Sequence, residues 1–256
     1  MTRALLLLAV VLGSLTVAAA RVDADSAGTL QVTATLFKQF GPVDCAAGNP
    51  ATTVCFADRP FRDDVVSGLG NVTFAPYTFY WDDFGSPCGH VHAQIPILVA
   101  GKGEIDLAVA VTGCWTGDNF PPTAVTVSGG SGRYAGASGS GMLEFHTANI
   151  TGPLTGSRSV TWTGTLNVDG LTFDTTAPQI AGATSRIVKT RLAAGARVRY
   201  SVSATDAADG PVPAACSPKS GSVFRPGRTT VTCTSADSSG NSATARFVVT
   251  VKRVRR

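Results

Sequence analysis

Two histidines at positions i and i+2 have the clearest potential for chemistry in this sequence. His90 and His92 are separated by one residue, and on a β-strand such positions project from the same face. Paired imidazoles are suitable ligands for a transition metal, and Asp82 and Asp83 could complete such a site. The chain has one further histidine, His146. We predict structural or surface roles for the pair, with a metal site as the alternative.

A glycine-rich run at residues 128–141 has the composition of a phosphate-binding loop. Such loops bind phosphate where a strand leads into a helix N-terminus, often with a Gly-Lys-Ser or Gly-Lys-Thr sequence. Here residues 142–147 alternate as a strand does, and neither tripeptide follows the run. We therefore predict a turn between two strands and no nucleotide site.

The same run resembles a Gly-Gly-Thr-Gly-Arg-Phe-x-Gly-Ala-x-Gly segment of dirigent and allene-oxide-cyclase-like β-barrels. The matching residues are Gly129, Gly130, Gly132, Arg133, Tyr134, Gly136, Ala137 and Gly139. The resemblance implies a tight turn in which Tyr134 plugs the space between flexible glycines. It also implies a barrel whose interior can hold an apolar small molecule, but it carries over no catalytic residue.

Motifs for catalysis are otherwise missing from the sequence. A Gly-x-Ser-x-Gly nucleophile elbow does not occur. The paired carboxylates Asp63–Asp64 and Asp82–Asp83 are adjacent in sequence, so the two members of each pair would face opposite ways on a strand. We predict neither catalytic nor cofactor-binding residues.

The N-terminus and the cysteines both indicate export. A positive start precedes an apolar run at residues 4–12, and small residues occupy 17–20. This is the pattern of a secretory signal peptide over residues 1–20. The six cysteines form no Cys-x-x-Cys pair, which favours structural disulfides over a zinc site. They are Cys45, Cys55, Cys88, Cys114, Cys216 and Cys233.

Hydrophobic alternation predicts strands and two disulfides in the first half of the chain. Residues 29–37 alternate as a half-buried strand. Residues 38–70 are predicted to be irregular, and a loop of that length needs the Cys45–Cys55 staple. Two β-rich runs flank Gly101, so folding them as a hairpin brings Cys88 opposite Cys114, each thirteen residues from the turn.

The overall prediction is an all-β protein with two domains. Thr, Val, Ser and Gly are abundant, and charged residues make up only 15%. We place an antiparallel β-barrel or sandwich over residues 29–170. An immunoglobulin-like sandwich with a Cys216–Cys233 disulfide follows over residues 174–252.

Charge divides the mature chain between the two domains. Residues 21–173 contain seven Lys and Arg against thirteen Asp and Glu, whereas residues 174–256 contain thirteen against four. A basic module can bind an anionic surface, although no aromatic stacking pattern supports nucleic acid. The predicted surface-binding residues are Arg186, Arg197, Arg199, Lys252, Arg253, Arg255 and Arg256.

Residues 174–252 resemble the HYR (hyalin repeat) domain. The matching positions include Pro178, Tyr200, Asp206, Cys216, Pro218, Phe224, Cys233, Asp237, Gly240, Asn241 and Phe247. The family is an immunoglobulin-like extracellular module linked to cell adhesion, so the resemblance implies adhesion and no catalysis.

Asp206, Asp209 and Asp237 are the acidic residues within that segment's loops. Residues 237–241 are suited to a hairpin turn because Gly and Asn tolerate positive φ. Carboxylates at the end of a sandwich can also ligate calcium, but three in two loops fall short of a ligand set. We predict no cofactor, with calcium as the alternative.

The sequence thus predicts a secreted, extracellular, non-catalytic protein that binds a cell-surface or envelope component, or a protein partner. The alternative is a barrel that binds or transforms a small apolar molecule, with the second domain as an accessory. A cavity lined by Tyr77, Phe79, Trp81 and Trp162 would favour that alternative. Asn71 and Asn149 begin glycosylation sequons that matter only in a eukaryotic pathway.

Overall fold

The computed structural model of the protein describes residues 26–45, 53–82, 88–114, 121–152 and 155–254. The predicted signal peptide, residues 1–20, lies outside them. The described residues form nineteen β-strands and no helix, which confirms the all-β prediction. Across this part of the chain, no helix has the length and apolar character needed to cross a membrane.

Ten strands form the first sheet, and the sheet closes on itself. Their order is β3-β4-β6-β5-β2-β1-β10-β9-β8-β7, and β7 also pairs with β6, which makes a barrel. The short strands β4 and β5 pair with successive parts of β6. The strands are β1 (Ser26–Val43), β2 (Val54–Arg62), β3 (Asp64–Val66), β4 (Gly70–Phe74), β5 (Tyr77–Asp82), β6 (Cys88–Val99), β7 (Gly103–Cys114), β8 (Thr123–Gly132), β9 (Ser138–Gly152) and β10 (Thr155–Phe173).

The predicted hairpin around Gly101 is present. Strands β6 and β7 pair from Val99 opposite Gly103 to Cys88 opposite Cys114. Cys88 is disulfide-bonded, whereas the side chain of Cys114 lies outside the described side chains. Cys45 and Cys55 form the predicted disulfide.

The predicted irregular stretch at 38–70 is wrong for most of its described residues. Strand β1 continues to Val43, and β2 covers Val54–Arg62. The two strands pair from Phe37 opposite Arg62 to Val43 opposite Cys55. Polar residues in this region point into the barrel, so the hydrophobic pattern that marks a strand is interrupted although the strand itself is not.

The barrel interior is one continuous core, which includes the fully buried Trp162. Its indole lies against the point where β9 and β10 approach through facing glycines, Gly141 and Gly164. A Cβ on Gly141 would clash with Thr163 O and lie 2.8 Å from Trp162 Nε1. Glycine is therefore needed at this position for close packing of the two strands.

Nine strands follow in three small sheets, of order β11-β14-β15, β12-β19-β18-β16 and β13-β17. Strands β12 and β19 are parallel, and Cys216 and Cys233 form a disulfide between paired strands β16 and β18. The strands are β11 (Gln179–Ala181), β12 (Arg186–Thr190), β13 (Ala196–Arg197), β14 (Ser203–Asp206), β15 (Gly210–Val212), β16 (Ala214–Ser217), β17 (Val223–Phe224), β18 (Gly227–Ala236) and β19 (Ser242–Arg253).

The second core lies between these sheets, with Val198, Val231, Phe247 and Val249 fully or almost fully buried. The predicted inward faces of β18 and β19 are confirmed. The predicted strand over 197–204 is broken between β13 and β14, because its backbone hydrogen bonds go to an irregular partner. Val198 N donates to Ser222 O, and Tyr200 N donates to the Ser220 hydroxyl.

Replacing Gly141 with alanine tests the close packing of β9 and β10. We expect the Gly141→Ala variant to lose about 1–3 kcal/mol of unfolding free energy, because the added methyl forces Trp162 or the neighbouring backbone to shift. Denaturant unfolding followed by tryptophan fluorescence measures the loss. Ser140→Ala, at the exposed neighbouring position, is the control. Equal stability of the two variants would contradict the packing argument.

Candidate functional sites

The predicted histidine pair lies on β6 with a carboxylate beside it. Asp82 on β5 is directly opposite His90 in the strand register. One ligand atom from each of Asp82, His90 and His92 lies within 4.8 Å of the others. His92 Nδ1 is 3.6 Å from Asp82 Oδ2. The pair therefore shares a face, as predicted, while Asp83 lies outside the described residues.

Neighbouring side chains orient this group. The Thr53 hydroxyl donates to Asp82 Oδ1 over 2.6 Å, and His90 Nδ1 lies 3.1 Å from the Thr112 hydroxyl. The Tyr80 ring stacks on His92 with centroids 4.7 Å apart. The threonine contacts use Asp82 Oδ1 and His90 Nδ1, so Asp82 Oδ2 and His90 Nε2 remain available for a metal.

A second group, unpredicted from the sequence, lies inside the barrel. Lys38 Nζ is 2.6 Å from Asp58 Oδ2 and also donates to the Tyr77 hydroxyl, while Arg158 Nη2 donates to Asp58 Oδ1 over 3.4 Å. We call these four residues the interior ionic cluster. Lys38 and Asp58 are 0% and 1% exposed. The cluster spans the adjacent strands β10, β1, β2 and β5.

Aromatic rings surround the two cations of this cluster. Lys38 Nζ lies 5.5 Å from the ring centres of Phe74 and Phe145, and the Arg158 guanidinium lies 4.3 Å from that of Phe40. The cluster holds two positive charges and one negative charge. Cation–π attraction to these ring faces partly compensates the second positive charge.

Burial and charge set the protonation of the interior ionic cluster. Burial lowers the pKa of Lys38 from 10.5 to about 8, although Asp58 acts in the opposite direction. Burial acts to raise the pKa of Asp58, but the charges of Lys38 and Arg158 outweigh it and lower the pKa below its usual value. Burial and the nearby Asp58 charge raise the pKa of Tyr77 well above 10.0. At neutral pH, Lys38 and Asp58 therefore form an ion pair beside a neutral tyrosine.

The two-residue period of inward positions along β1 could have revealed that Lys38 points into the barrel. Leu30, Val32, Ala34 and Leu36 are buried as predicted, and position 38 is the next inward position on β1. Asp58, Tyr77 and Arg158 carry no comparable local signal. Their meeting depends on which strands become neighbours in the barrel.

The acidic loop residues lie together at one end of the second domain. Asp206, Asp209 and Asp237 converge with Asp174, which follows the last barrel strand; one oxygen from each lies within 4.8 Å of the others. We call these four residues the junction carboxylates. Asp206, Asp209 and Asp237 were candidate calcium ligands from the sequence, whereas no motif marks Asp174.

The predicted surface-binding arginines are divided by the structure. The Arg186 guanidinium donates to Arg199 O and lies 5.7 Å from the centroids of both the Tyr200 and Phe247 rings, so it is partly buried. Arg197 is exposed and donates to Gly221 O, and Arg199 is exposed as well. Lys252 and Arg253 are exposed at the end of β19, whereas Arg255 and Arg256 lie outside the described residues.

Lys252 belongs to a basic sheet face whose other residues were not predicted from the sequence. Lys189 on β12 faces Lys252 in the register, and Arg228 on β18 faces Thr250. Arg246 precedes Lys252 on the same side of β19. We call Lys189, Arg228, Arg246 and Lys252 the basic face. Alternation along β19 puts Arg246 and Lys252 on the same side of the strand, so this part of the face could have been predicted from the sequence.

The second domain has the architecture of an immunoglobulin-like sandwich pinned by one disulfide. In agreement with that architecture, the HYR domain family matches residues 173–251. This confirms the resemblance seen in the sequence. A search of curated proteins found no match.

Two similar solved structures are the pterocarpan synthase dirigent proteins PsPTS1 and GePTS1. PsPTS1 is 12% identical, with a TM-score of 0.33, and the match covers 54% of this chain and 97% of that one. GePTS1 is 12% identical, with a TM-score of 0.34, and the match covers 57% and 90%. A likeness this distant carries no functional argument.

The lowered pKa of Lys38 predicts a pH-dependent stability. Below about pH 8, Lys38 is protonated in both states and its buried charge costs stability in full. Between pH 8 and 10 the folded protein releases this proton while the unfolded chain still holds it, so the unfolding free energy rises by roughly 2 kcal/mol from this group. Denaturant titrations across this range measure the rise.

Matched lysine variants separate this effect from other titrations. The rise should persist in Lys219→Met, which removes an exposed lysine, and should disappear in Lys38→Met. An equal rise in both variants would assign it to other groups.

Proposed function

We propose that the protein is secreted and that its HYR domain binds an anionic cell-surface component through the basic face. One observation carries this proposal. Lys189, Arg228, Arg246 and Lys252 are all exposed on this face, and the four strands of the sheet contain no acidic residue. A surface with one sign of charge attracts an oppositely charged partner and raises the rate of encounter with it.

The arrangement of these charges supports a binding role. Like charges placed directly opposite on paired strands destabilise a sheet, and Lys189 and Lys252 are such a pair. Both side chains are exposed, and neither forms a salt bridge among the described residues. Ile187, on the same side of β12, is 63% exposed and adds an apolar contact to the face.

The disulfide bonds and the N-terminal segment both support export. Disulfides persist in oxidising compartments, and the protein has Cys45–Cys55 and Cys216–Cys233. The apolar run at 4–12 and the small residues at 17–20 provide the signal peptide of this proposal. An HYR domain also fits an extracellular protein.

The alternative function requires room inside the barrel for an apolar molecule. Tyr77, Phe79 and Trp162 instead pack into the interior core, with 7%, 2% and 0% exposure, and Trp81 packs against it. The charged groups of the interior ionic cluster bind one another. This packing supports a structural role for the barrel and a binding role for the HYR domain.

Binding of the mature protein to cell envelopes across a salt series tests the proposed function. Each Lys or Arg contributes about 1 kcal/mol at an anionic surface. The double variant Arg246→Ser/Lys252→Ser should therefore bind roughly thirtyfold more weakly at low salt. Rising salt should weaken wild-type binding because it screens these charges.

A charge-matched control distinguishes the basic face from net charge. Lys219→Ser/Arg225→Ser removes one lysine and one arginine at exposed positions outside the four-stranded sheet, and it should bind like the wild type. Equal losses in the two double variants would reject a specific face. Absence of wild-type binding at low salt would reject the proposed function.

A further inference from the structure

The junction carboxylates are the entire acidic content of the second domain. Residues 174–256 contain four acidic side chains against thirteen Lys and Arg. All four, Asp174, Asp206, Asp209 and Asp237, bring one oxygen to within 4.8 Å of one another. Four like charges this close repel strongly unless a cation lies among them.

One oxygen in this group is buried without a partner. Asp206 is 4% exposed, and its Oδ1 accepts hydrogen bonds from Ala208 N and Asp209 N at 2.8 and 3.1 Å. Its Oδ2 is buried and accepts no hydrogen bond. An unsatisfied buried carboxylate oxygen is costly, and a metal ion at this position would satisfy it.

No described Lys or Arg forms a direct ion pair with the three loop carboxylates, although the Lys102 charge lies near enough to act on Asp209 and Asp237. Among the described residues, no Lys or Arg nitrogen lies within 4.0 Å of Asp206, Asp209 or Asp237. Lys102 is the cation that approaches from the barrel. Its Nζ donates to the backbone oxygens of Leu69 and Ser238 at 2.8 and 3.1 Å, and to no carboxylate.

Backbone hydrogen bonds hold the loop carboxylates in place before any ion binds. Asp237 Oδ1 accepts from Ser239 N and Asn241 N at 2.9 and 2.8 Å. Asp209 accepts from Ser238 N and from its hydroxyl at 2.8 and 2.9 Å. Asp237 is therefore oriented by its own loop and Asp209 by the loop that contains Ser238, which lowers the entropy cost of forming a coordination sphere.

We propose that the junction carboxylates bind one Ca²⁺ ion between the barrel and the HYR domain. A donor set made only of carboxylate oxygens suits a hard cation. Calcium accepts six to eight oxygens at about 2.3–2.6 Å, so ligands on opposite sides of it lie roughly 5 Å apart. The four oxygens lie within 4.8 Å of one another, so a single ion of this kind can contact all of them.

The site lies where the two domains touch. Asn241 Nδ2 donates to Asp174 O and to Asp237 Oδ2, both at 2.9 Å. The Ser67 hydroxyl of the barrel donates to Asn241 Oδ1. An ion held by Asp174 and the three loop residues therefore ties the interdomain linker to the sandwich. This proposal does not depend on the proposed function of the basic face.

Calcium titration of the full mature protein by calorimetry tests this site. We expect one ion per chain, and a melting temperature that rises with calcium and falls on chelation. Asp206→Asn keeps the Oδ1 acceptor but removes charge, and should weaken calcium binding at least tenfold. Asp169→Asn, an exposed aspartate on β10, should bind like the wild type.

Asp209→Asn keeps the test decisive if Asp206→Asn does not fold. Asp209 is exposed, so its variant should fold and still bind calcium at least tenfold more weakly. Absence of wild-type binding at millimolar calcium would overturn the proposal. So would affinities of the folded junction variants equal to that of Asp169→Asn.

A different observation carries a second proposal. Two zinc ligands at tetrahedral angles, each about 2.0–2.2 Å from the ion, lie roughly 3.4 Å apart. His92 Nδ1 and Asp82 Oδ2 are 3.6 Å apart, and this buried His92 nitrogen has no hydrogen-bond partner. His90 is the third ligand within 4.8 Å. We infer that Asp82, His90 and His92 bind Zn²⁺, with a fourth position open to solvent.

Visible absorption of Co²⁺ in place of zinc tests this second site, in untagged mature protein. We expect Co²⁺ to give ligand-field absorption that Zn²⁺ abolishes, and His92→Gln to lose it. His146→Gln removes the one histidine outside the site and should retain it. Absence of cobalt absorption in the wild type, or its persistence in His92→Gln, would overturn the assignment.

Discussion

The carboxylate of Asp58 is the charge on which the barrel interior depends. It binds Lys38 through one oxygen and Arg158 through the other, and all three side chains are at least nine-tenths buried. Removing one partner of a buried ion pair typically costs 3–5 kcal/mol, because an uncompensated charge remains. Asp58 compensates two cations, so its loss would destabilise the barrel more than the loss of any other side chain of the cluster.

The same contacts specify how neighbouring strands align. A slip of one residue would turn Lys38 to the outside of β1 and leave Asp58 without its nearest cation. A shifted register therefore costs more free energy with the interior ionic cluster present than it would with a purely apolar interior. The barrel closes through eight strands, in the order β6-β5-β2-β1-β10-β9-β8-β7 and back to β6. The residues of the cluster lie on four consecutive strands of this ring, β5, β2, β1 and β10, so the cluster specifies the register of half of it.

Sequence reasoning succeeded where contacts are local. The β6–β7 hairpin follows from symmetry about Gly101, and the inward faces of β1 and β19 follow from a period of two. It failed where one polar residue occupies an inward position, because Lys38 ended the apparent strand at Phe37. The junction carboxylates and the basic face join loops or strands that are distant in sequence. Their proximity follows from strand order, which local patterns do not determine.

Charge in the HYR domain is separated along the strand direction. The junction carboxylates collect every acidic group at the barrel end, so the four-stranded sheet has no acid to neutralise its lysines and arginines. Asn241, at the junction, directly precedes β19, and Lys252 is near the other end of that strand. Eleven residues of extended strand span roughly 35 Å. The described barrel contacts therefore lie at the Asn241 end of the domain, whereas Lys252 lies at the opposite end of β19.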